Sequence, residues 1–529
     1  MANRTTVVAI LTGLVTVMAV GCSPGTGSRV GAAGVVEELR VASTPVSTLD
    51  YNKNNSGYGS GVGGLVMEPL LTRTKTGKLR PWLAESWSTP NPTTYVYTLR
   101  DGVTFTDGHE LTAEDVAFSL NYYRSEGSTN AYNFPATLKS ITATGRHTLT
   151  VTLTEPNAAW EGVLARSSLG IFSKSFYQKN KDTFGRPGTG VVGTGPWKLI
   201  DFNPTTGADL EANPRYWGEK VRIKKISFTF FDSETSQAFA FRAKAVDLAF
   251  PSDSRSFAST AGVKLATVPG SGDQGQFGMN VLVAPWNDVH LRRAVAHALD
   301  KKALINAYGG YAEPADTLLS PGLLQPLGTE QQIEDALDSV PTYPYDLDQA
   351  KAEMAKSAYP RGVDVTIAVA DYGQYASTVG QAVVAQLKKI GIRATLKVNS
   401  PEMDIAEATG SDRKKIHSAF SILGAVSSDP GEAFNYSLGS ANATPGNFNS
   451  TNYGSKTSDR LIAAAFATSD PAKRLTYYTE LLKEYAEQVP FVPLFFLEST
   501  YALSTDFTWP AYTASWRNNG PWALDLRAA

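Results

Sequence analysis

The chain has 529 residues, of which 42% are apolar and 19% charged, and its formal net charge at pH 7 is −2. These proportions are typical of a globular protein, and the length predicts two or three domains. Charges of both signs are mixed along the chain, which excludes the basic surface that nucleic-acid binding requires, so we expect no nucleic-acid partner.

The first predicted element is an N-terminal targeting segment. An apolar run follows Arg4 and ends at Cys22, the single cysteine of the chain, and this run is too short to span a bilayer. Because a cysteine stands at the cleavage point, the pattern resembles a bacterial lipoprotein signal, in which the thiol is acylated. We therefore expect a signal peptide over 1–21, lipidation of Cys22 and a flexible tether over 22–36. The alternative is an ordinary secretory signal with a chance cysteine.

Strands and helices alternate along the rest of the chain. Residues 38–44, 93–100 and 147–154 are predicted strands, the last two because apolar and polar side chains alternate in them. Large aromatic side chains are usually buried, so Trp82, Trp87 and Trp217 are interpreted as core anchors. The mixed order of strands and helices favours an α/β or α+β protein with more than one lobe.

The predicted helices are marked by their end signals. Thr112 with Asp115 three residues later is a capping box before a helix, and Asp470-Pro471 opens another. Between 377 and 390, Val379, Val383, Leu387 and Ile390 share one helical face, and Gly391 then ends the helix before a strand through Val398.

Motifs for catalysis or cofactor binding are not supported. Two stretches with G-x-G-x-x-G spacing, at Gly59 and Gly188, lack the preceding strand and following helix of a dinucleotide site. The five histidines are scattered without a metal-binding pair, and no nucleophile elbow or phosphate-binding loop occurs. We predict no catalytic residue, no metal and no cofactor, and an enzyme is unsupported.

A family resemblance is carried by ordered motifs between residues 68 and 300. The segment resembles the signature of the extracellular solute-binding proteins of the oligopeptide, dipeptide and nickel ABC-transporter family (family 5). The matching motifs are EPL (68–70), GKLRPWLAESW (77–87), LRDGVTF (99–105), AEDV (113–116), GTGPWKL (193–199), FGMN (277–280) and RRAVAHALD (292–300).

The resemblance implies an α/β fold of the periplasmic-binding-protein kind, a two-lobed clamp of type II, cluster C. It implies that lobe 1 comprises 37–275 with 489–529, that 69–188 form an extra subdomain of lobe 1, and that lobe 2 comprises 276–488. Ligand would bind between the lobes and favour the closed form by contacting both.

Four loops are predicted to contact ligand, because such loops join strand ends that face the cleft. The alternative for the first of them is a solvated surface loop. The predicted contacts are Thr48, Tyr51, Asn54 and Tyr58 in the first loop, Tyr372, Gln374 and Tyr375 in the second, Ser427 and Asp429 in the third, and Asn447 and Asn449 in the fourth.

The third loop departs from the family pattern. Leu423 and Val426 stand where the family has a Trp and an acidic residue that holds a peptide's free amine. Asp429 could take the amine, or it could be a turn residue before Pro430, and the sequence leaves both open. Ligands without a free amine, such as modified peptides, oligosaccharides, or a metal or haem chelate, therefore stay open beside oligopeptides.

The resemblance thus predicts a binding lipoprotein of an ABC importer, a monomer held on the outer face of the cytoplasmic membrane, with permease subunits as partners. A sensor or adaptor of the same fold is the second reading, and a secreted hydrolase is the third.

Overall fold

The computed structural model describes residues 35–54, 57–251, 255–258, 260–268, 273–370, 374–400, 403–404, 406–407, 418–423, 429–444, 447, 449–513, 516 and 520–529. The predicted signal peptide, Cys22 and nearly all of the tether lie outside these residues. No helix within the described ranges is long and apolar enough to cross a membrane.

The strands are defined as follows, in chain order: β1 Val36–Ser43, β2 Leu71–Arg73, β3 Leu79–Pro81, β4 Ala84–Asn91, β5 Thr94–Leu99, β6 Leu138–Gly145, β7 Thr148–Leu153, β8 Trp197–Asn203, β9 Gly207–Ala212, β10 Ile223–Phe230, β11 Leu248–Ala249, β12 Val263–Val268, β13 Gln274–Met279, β14 Ala312–Pro314, β15 Val363–Ala370, β16 Ile392–Asn399, β17 Ser418–Leu423, β18 Phe491–Leu497, β19 Ser499–Ser504, β20 Phe507–Thr508 and β21 Arg527–Ala528.

The α-helices are α1 Gly57–Gly63, α2 Ala113–Tyr123, α3 Trp160–Val163, α4 Lys174–Lys179, α5 Glu234–Arg242, α6 Arg255–Ala258, α7 Val289–Ala298, α8 Lys301–Tyr308, α9 Pro321–Leu324, α10 Glu330–Asp338, α11 Leu347–Lys356, α12 Gln374–Lys388, α13 Pro430–Leu438, α14 Lys456–Phe466 and α15 Pro471–Gln488.

Two large sheets form the frame of the molecule. One has seven strands in the order β12-β19-β11-β1-β10-β9-β8, and the other has six in the order β14-β18-β13-β17-β15-β16. A smaller sheet, β4-β5-β7-β6, lies within the stretch predicted as the extra subdomain. A mixed α/β fold with two lobes is confirmed.

Local sequence signals predicted these elements well. Tyr95, Tyr97 and Leu99 alternate into the core from β5, as expected. Helix α2 begins after Thr112 with a capping box to Asp115. Gly391 takes a φ of 87°, a left-handed conformation that glycine adopts without steric cost, and it separates α12 from β16. Edge strand β16 differs in one respect, since Val398 is exposed.

Two of the tryptophans interpreted as core anchors have a role beyond core packing. Trp82 and Trp217 are only half-buried, and their Nε1 atoms each donate to the carboxylate of Glu68 at 2.9 Å. Glu68 is fully buried, and it also accepts hydrogen bonds from Tyr216 and Thr194, each at 2.8 Å. The signature therefore builds a buried carboxylate with four donors.

The chain passes between the two large sheets twice. It leaves β12 at Val268 and enters β13 at Gln274, and it leaves β18 at Leu497 and enters β19 at Ser499. The predicted lobe boundaries, 275/276 and 488/489, stay a prediction, since a sheet is smaller than a lobe.

Candidate functional site

The two passages define which edges of the large sheets face each other. β13 is antiparallel to β18, and β12 is antiparallel to β19. The start of β13 and the end of β18 therefore lie at one edge of the six-stranded sheet, and the end of β12 and the start of β19 lie at one edge of the seven-stranded sheet. We call these the joined edges.

On the seven-stranded sheet, the loop that follows β1 lies at the joined edge. β1 runs parallel to β10 and β11, and β11 is antiparallel to β19. The C-terminal ends of β1, β10 and β11 thus lie beside the start of β19. The first predicted ligand loop leaves from one of these ends.

On the six-stranded sheet, the second and third predicted loops leave from the joined edge as well. β15 runs parallel to β16 and β17, and β17 is antiparallel to β13. Ala370 at the end of β15 and Leu423 at the end of β17 therefore lie at the edge where β13 begins. Strand topology therefore brings to the joined edges three strand ends that are far apart in sequence, and a predicted ligand loop leaves from each of them.

The first loop is held firmly by its own side chains. Thr48 Oγ1 donates to the carbonyl of Gly185 at 2.9 Å, and Asn54 Nδ2 donates to Ser47 Oγ at 3.3 Å. Tyr51 is 1% exposed, and burial raises the pKa of its phenol. Its buried ring favours a structural role, whereas Thr48 and Asn54 are partly exposed. The side chain of Tyr58 lies outside the described part of the chain.

Residues of the second and third predicted loops lie outside the described part of the chain. Tyr372 and Ser427 lie outside the described residues, as do the side chains of Gln374 and Tyr375. The contacts predicted for them stay predictions.

Asp429 is engaged by a buried cation. It caps α13 by accepting from the Gly431 backbone N–H at 2.8 Å, and both carboxylate oxygens lie 2.7 Å from Arg474 Nη2. Burial lowers the pKa of Arg474, but Asp429 and Tyr478 offset this and hold it above its usual value. These bonds favour the structural alternative over an amine anchor.

The two predicted ligand contacts of the fourth loop, Asn447 and Asn449, differ in burial. Asn449 is fully buried, and its Nδ2 donates to the carbonyl of Tyr453 at 2.6 Å, which fixes the loop backbone. Asn447 is half-buried, and its Nδ2 bonds Thr444 Oγ1 at 3.0 Å. Asn447 is thus the residue of this pair that a solute could reach.

Contacts between the extra subdomain and α13 were missed by sequence reasoning. Arg166, which also donates to Asn133, pairs with Glu432 on α13 at 2.6 Å, and both side chains are largely buried. Tyr436 on the same helix donates to the carbonyl of Tyr132 at 3.3 Å. Nothing in the local sequence pairs residues 266 positions apart.

A second arginine of the subdomain, Arg73, is affected by the charges of Asp429 and Glu432. Burial lowers the pKa of Arg73 to about 10, while Asp429 and Glu432 oppose that shift and Arg166 adds to it. The interface therefore holds an ion pair, between Arg166 and Glu432, and the charges of Asp429 and Glu432 also act on the buried Arg73 guanidinium.

Removing this contact is expected to favour an open arrangement. Glu432→Gln withdraws the charge that pairs with Arg166, a loss of about 1.5 kcal/mol or a tenfold shift in the open–closed ratio. Small-angle scattering should then give a larger radius of gyration without ligand. Glu480→Gln, an exposed position on α15, is the control, and scattering curves identical to wild type in both variants would contradict the expectation.

The fold, the joined edges and the signature motifs define a class of protein. The chain belongs to the bacterial extracellular solute-binding proteins of family 5, whose model matches residues 78–445. The resemblance seen in the sequence is thereby confirmed, and the protein is a solute-binding protein that works outside the cytoplasm.

Individual relatives share about a quarter or less of their sequence with this chain. The glutathione-binding protein GsiB of Salmonella typhi is 26% identical over 458 residues, which are 85% of this chain and 86% of the relative. Among solved structures, HbpA2 of Haemophilus parasuis superposes with a TM-score of 0.79 at 21% identity, covering 93% of this chain and 100% of the other. DppA of Helicobacter pylori, in complex with the peptide STSA, gives 0.75 at 22% identity, covering 94% and 98%.

GsiB is a glutathione-binding protein, and DppA is an ABC transporter-associated periplasmic binding protein. Among the residues that the structure places, no group of three or more His, Cys, Asp or Glu side chains is arranged to hold a metal ion.

Proposed function

We propose that the protein captures an oligopeptide, or a polar solute of similar size, between its two lobes and delivers it to the permease of an ABC importer. The observation that supports this is that the strand ends from which three of the predicted ligand loops leave lie on the joined edges. A solute that contacts both edges favours the closed form by its differential affinity for it.

The engagement of Asp429 by Arg474 bears on the kind of solute. A carboxylate with both oxygens bonded to a buried guanidinium is not available to a ligand's ammonium group without loss of that pair. We infer that a free N-terminal amine is not read by Asp429. A modified peptide, an oligosaccharide or a chelate is the second candidate.

The remaining features of the proposal come from the sequence. We propose a lipid anchor at Cys22 on the outer face of the cytoplasmic membrane, a monomer, and no catalytic activity. The proposed lobes are 37–275 with 489–529, including the subdomain 69–188, and 276–488. Of the predicted ligand contacts, Thr48, Asn54 and Asn447 have the best support because their side chains are partly exposed.

The proposal is tested by measuring whether a solute binds and whether its binding closes the two lobes. A panel of glutathione, the tetrapeptide STSA, oligosaccharides and metal chelates is screened for a rise in melting temperature. Any solute that raises it should also reduce the radius of gyration in scattering. No shift and no compaction with any member of the panel would contradict solute capture.

A further inference from the structure

The strand that carries the chain into the six-stranded sheet bears two buried glutamines. Gln274 and Gln276 lie two residues apart on β13, so their side chains share one face. Phe277 and Met279 lie on the opposite face of β13 and point into the apolar core with α7 and α12. Gln274 and Gln276 are only 2% and 3% exposed, although they begin at the joined edge.

Among the residues that the structure describes, none donates a hydrogen bond to the amide oxygen of either glutamine. For Gln274 the orientation of the amide is fixed, because its Nε2 donates to the carbonyls of Thr317 at 2.9 Å and Leu318 at 3.3 Å. A carbonyl only accepts, so the atom left over is an acceptor. A buried acceptor without a donor costs free energy, so such groups in a native fold are normally paired with something.

The position of the two glutamines in the sheet indicates which kind of hydrogen-bond donor pairs with their oxygens. Gln274 is paired in register with Leu423 at the end of β17, and Gln276 with Ser421. Both glutamines therefore lie under the edge from which the second and third ligand loops leave. Asn399 at the end of β16 repeats the pattern, since its Nδ2 donates to Glu407 and its buried Oδ1 has no partner within the described part of the chain.

We propose that the solute donates N–H groups to the amide oxygens of Gln274 and Gln276. The site then selects amide- or ammonium-bearing solutes, and it disfavours solutes that present only acceptor oxygens, which would leave both glutamines unpaired. This inference rests on the proposed function and narrows its substrate class. It assigns the specificity for the solute to strand β13, whereas the sequence predicted ligand contacts only in loops.

The test compares two buried glutamines. Gln276→Met removes an oxygen that has no protein partner, so the unfolding midpoint should stay level or rise. Binding of an N–H-bearing probe, glutathione or STSA, should weaken about three- to tenfold, as expected for one lost hydrogen bond. Gln386→Met is the control. Gln386 is equally buried but accepts from the Asp300 backbone N–H at 2.7 Å, so this variant should lose stability and keep its affinity.

Calorimetry on the full chain distinguishes the outcomes. If wild type binds glutathione or STSA and Gln276→Met binds it equally well, a water satisfies the glutamine and the inference fails, while the proposed function stands. If wild type binds citrate, which presents no N–H, and neither peptide probe, the inference and peptide capture both fail. Should Gln276→Met not fold, Gln276→Asn withdraws the oxygen by one methylene and must show the same loss of affinity.

Discussion

Asp429→Asn is expected to lower the free energy of unfolding by about 3–5 kcal/mol, because it leaves the Arg474 guanidinium buried without its counter-charge. The two side chains are 11% and 9% exposed, so water cannot replace the carboxylate. Tyr478 bonds Arg474 at 2.6 Å but supplies no charge. Urea unfolding followed by circular dichroism measures the loss.

Matched variants separate this pair from its surroundings. Lys473→Met, the neighbouring and exposed position on α15, should change stability by less than about 0.5 kcal/mol. Removing both charges, in Asp429→Asn with Arg474→Met, should recover much of the loss, since a buried pair replaced by apolar groups is often neutral. A single Asp429→Asn variant as stable as wild type would show that the pair contributes nothing.

The single variant Asp429→Asn also distinguishes a structural role of Asp429 from a role in binding a ligand's free amine. If the carboxylate is structural, Asp429→Asn weakens binding of a free-amine peptide and of its N-acetylated form equally. A selective loss for the free-amine peptide would restore the amine-anchor interpretation.

Glu68→Ala is expected to cost about 3–6 kcal/mol, since four donors lose their common acceptor. Thr194 is fully buried, and Trp82 and Trp217 are partly so. Removal of the carboxylate therefore leaves several N–H and O–H groups unpaired around a cavity. Glu85→Ala, at an exposed position in the same signature, should be nearly neutral. Equal unfolding midpoints for the two variants would contradict this account of the cluster.

The pH dependence of stability should report Glu68 directly. Burial raises its pKa from 4.5 to about 7, against the four hydrogen bonds. Because the folded-state pKa lies above the unfolded one, the contribution is fully present below pH 4.5 and is lost as the pH rises through 7. Wild type should therefore lose on the order of 3 kcal/mol relative to Glu68→Gln between those limits. Parallel stability curves for the two proteins would contradict the shift.

Elements with local signals could be predicted from the sequence. Alternation identified β5 and β7, capping residues identified α2 and α15, and Gly391 identified the end of α12, because each signal lies within a few residues of the structure that it specifies. The family motifs between residues 68 and 300 then predicted the two-lobed fold, because their order along the chain resembles that of the family.

The site was less predictable because its geometry depends on distant partners. The sequence assigned Tyr51 and Asn449 to predicted ligand loops, but it could not show that both side chains are buried. It left the role of Asp429 open because Arg474 is 45 residues away. Gln274 and Gln276 did carry a signal, as two polar residues in a strand that is otherwise buried, and this signal was overlooked.

Hydrogen–deuterium exchange tests the central claim most directly. The solute that raises the melting temperature is added, and peptides spanning 44–54 and 418–434 are followed by mass spectrometry. Capture between the joined edges predicts slower exchange in both segments at once, because one molecule contacts both lobes. Protection confined to one segment, with the other unchanged, would contradict binding between the lobes.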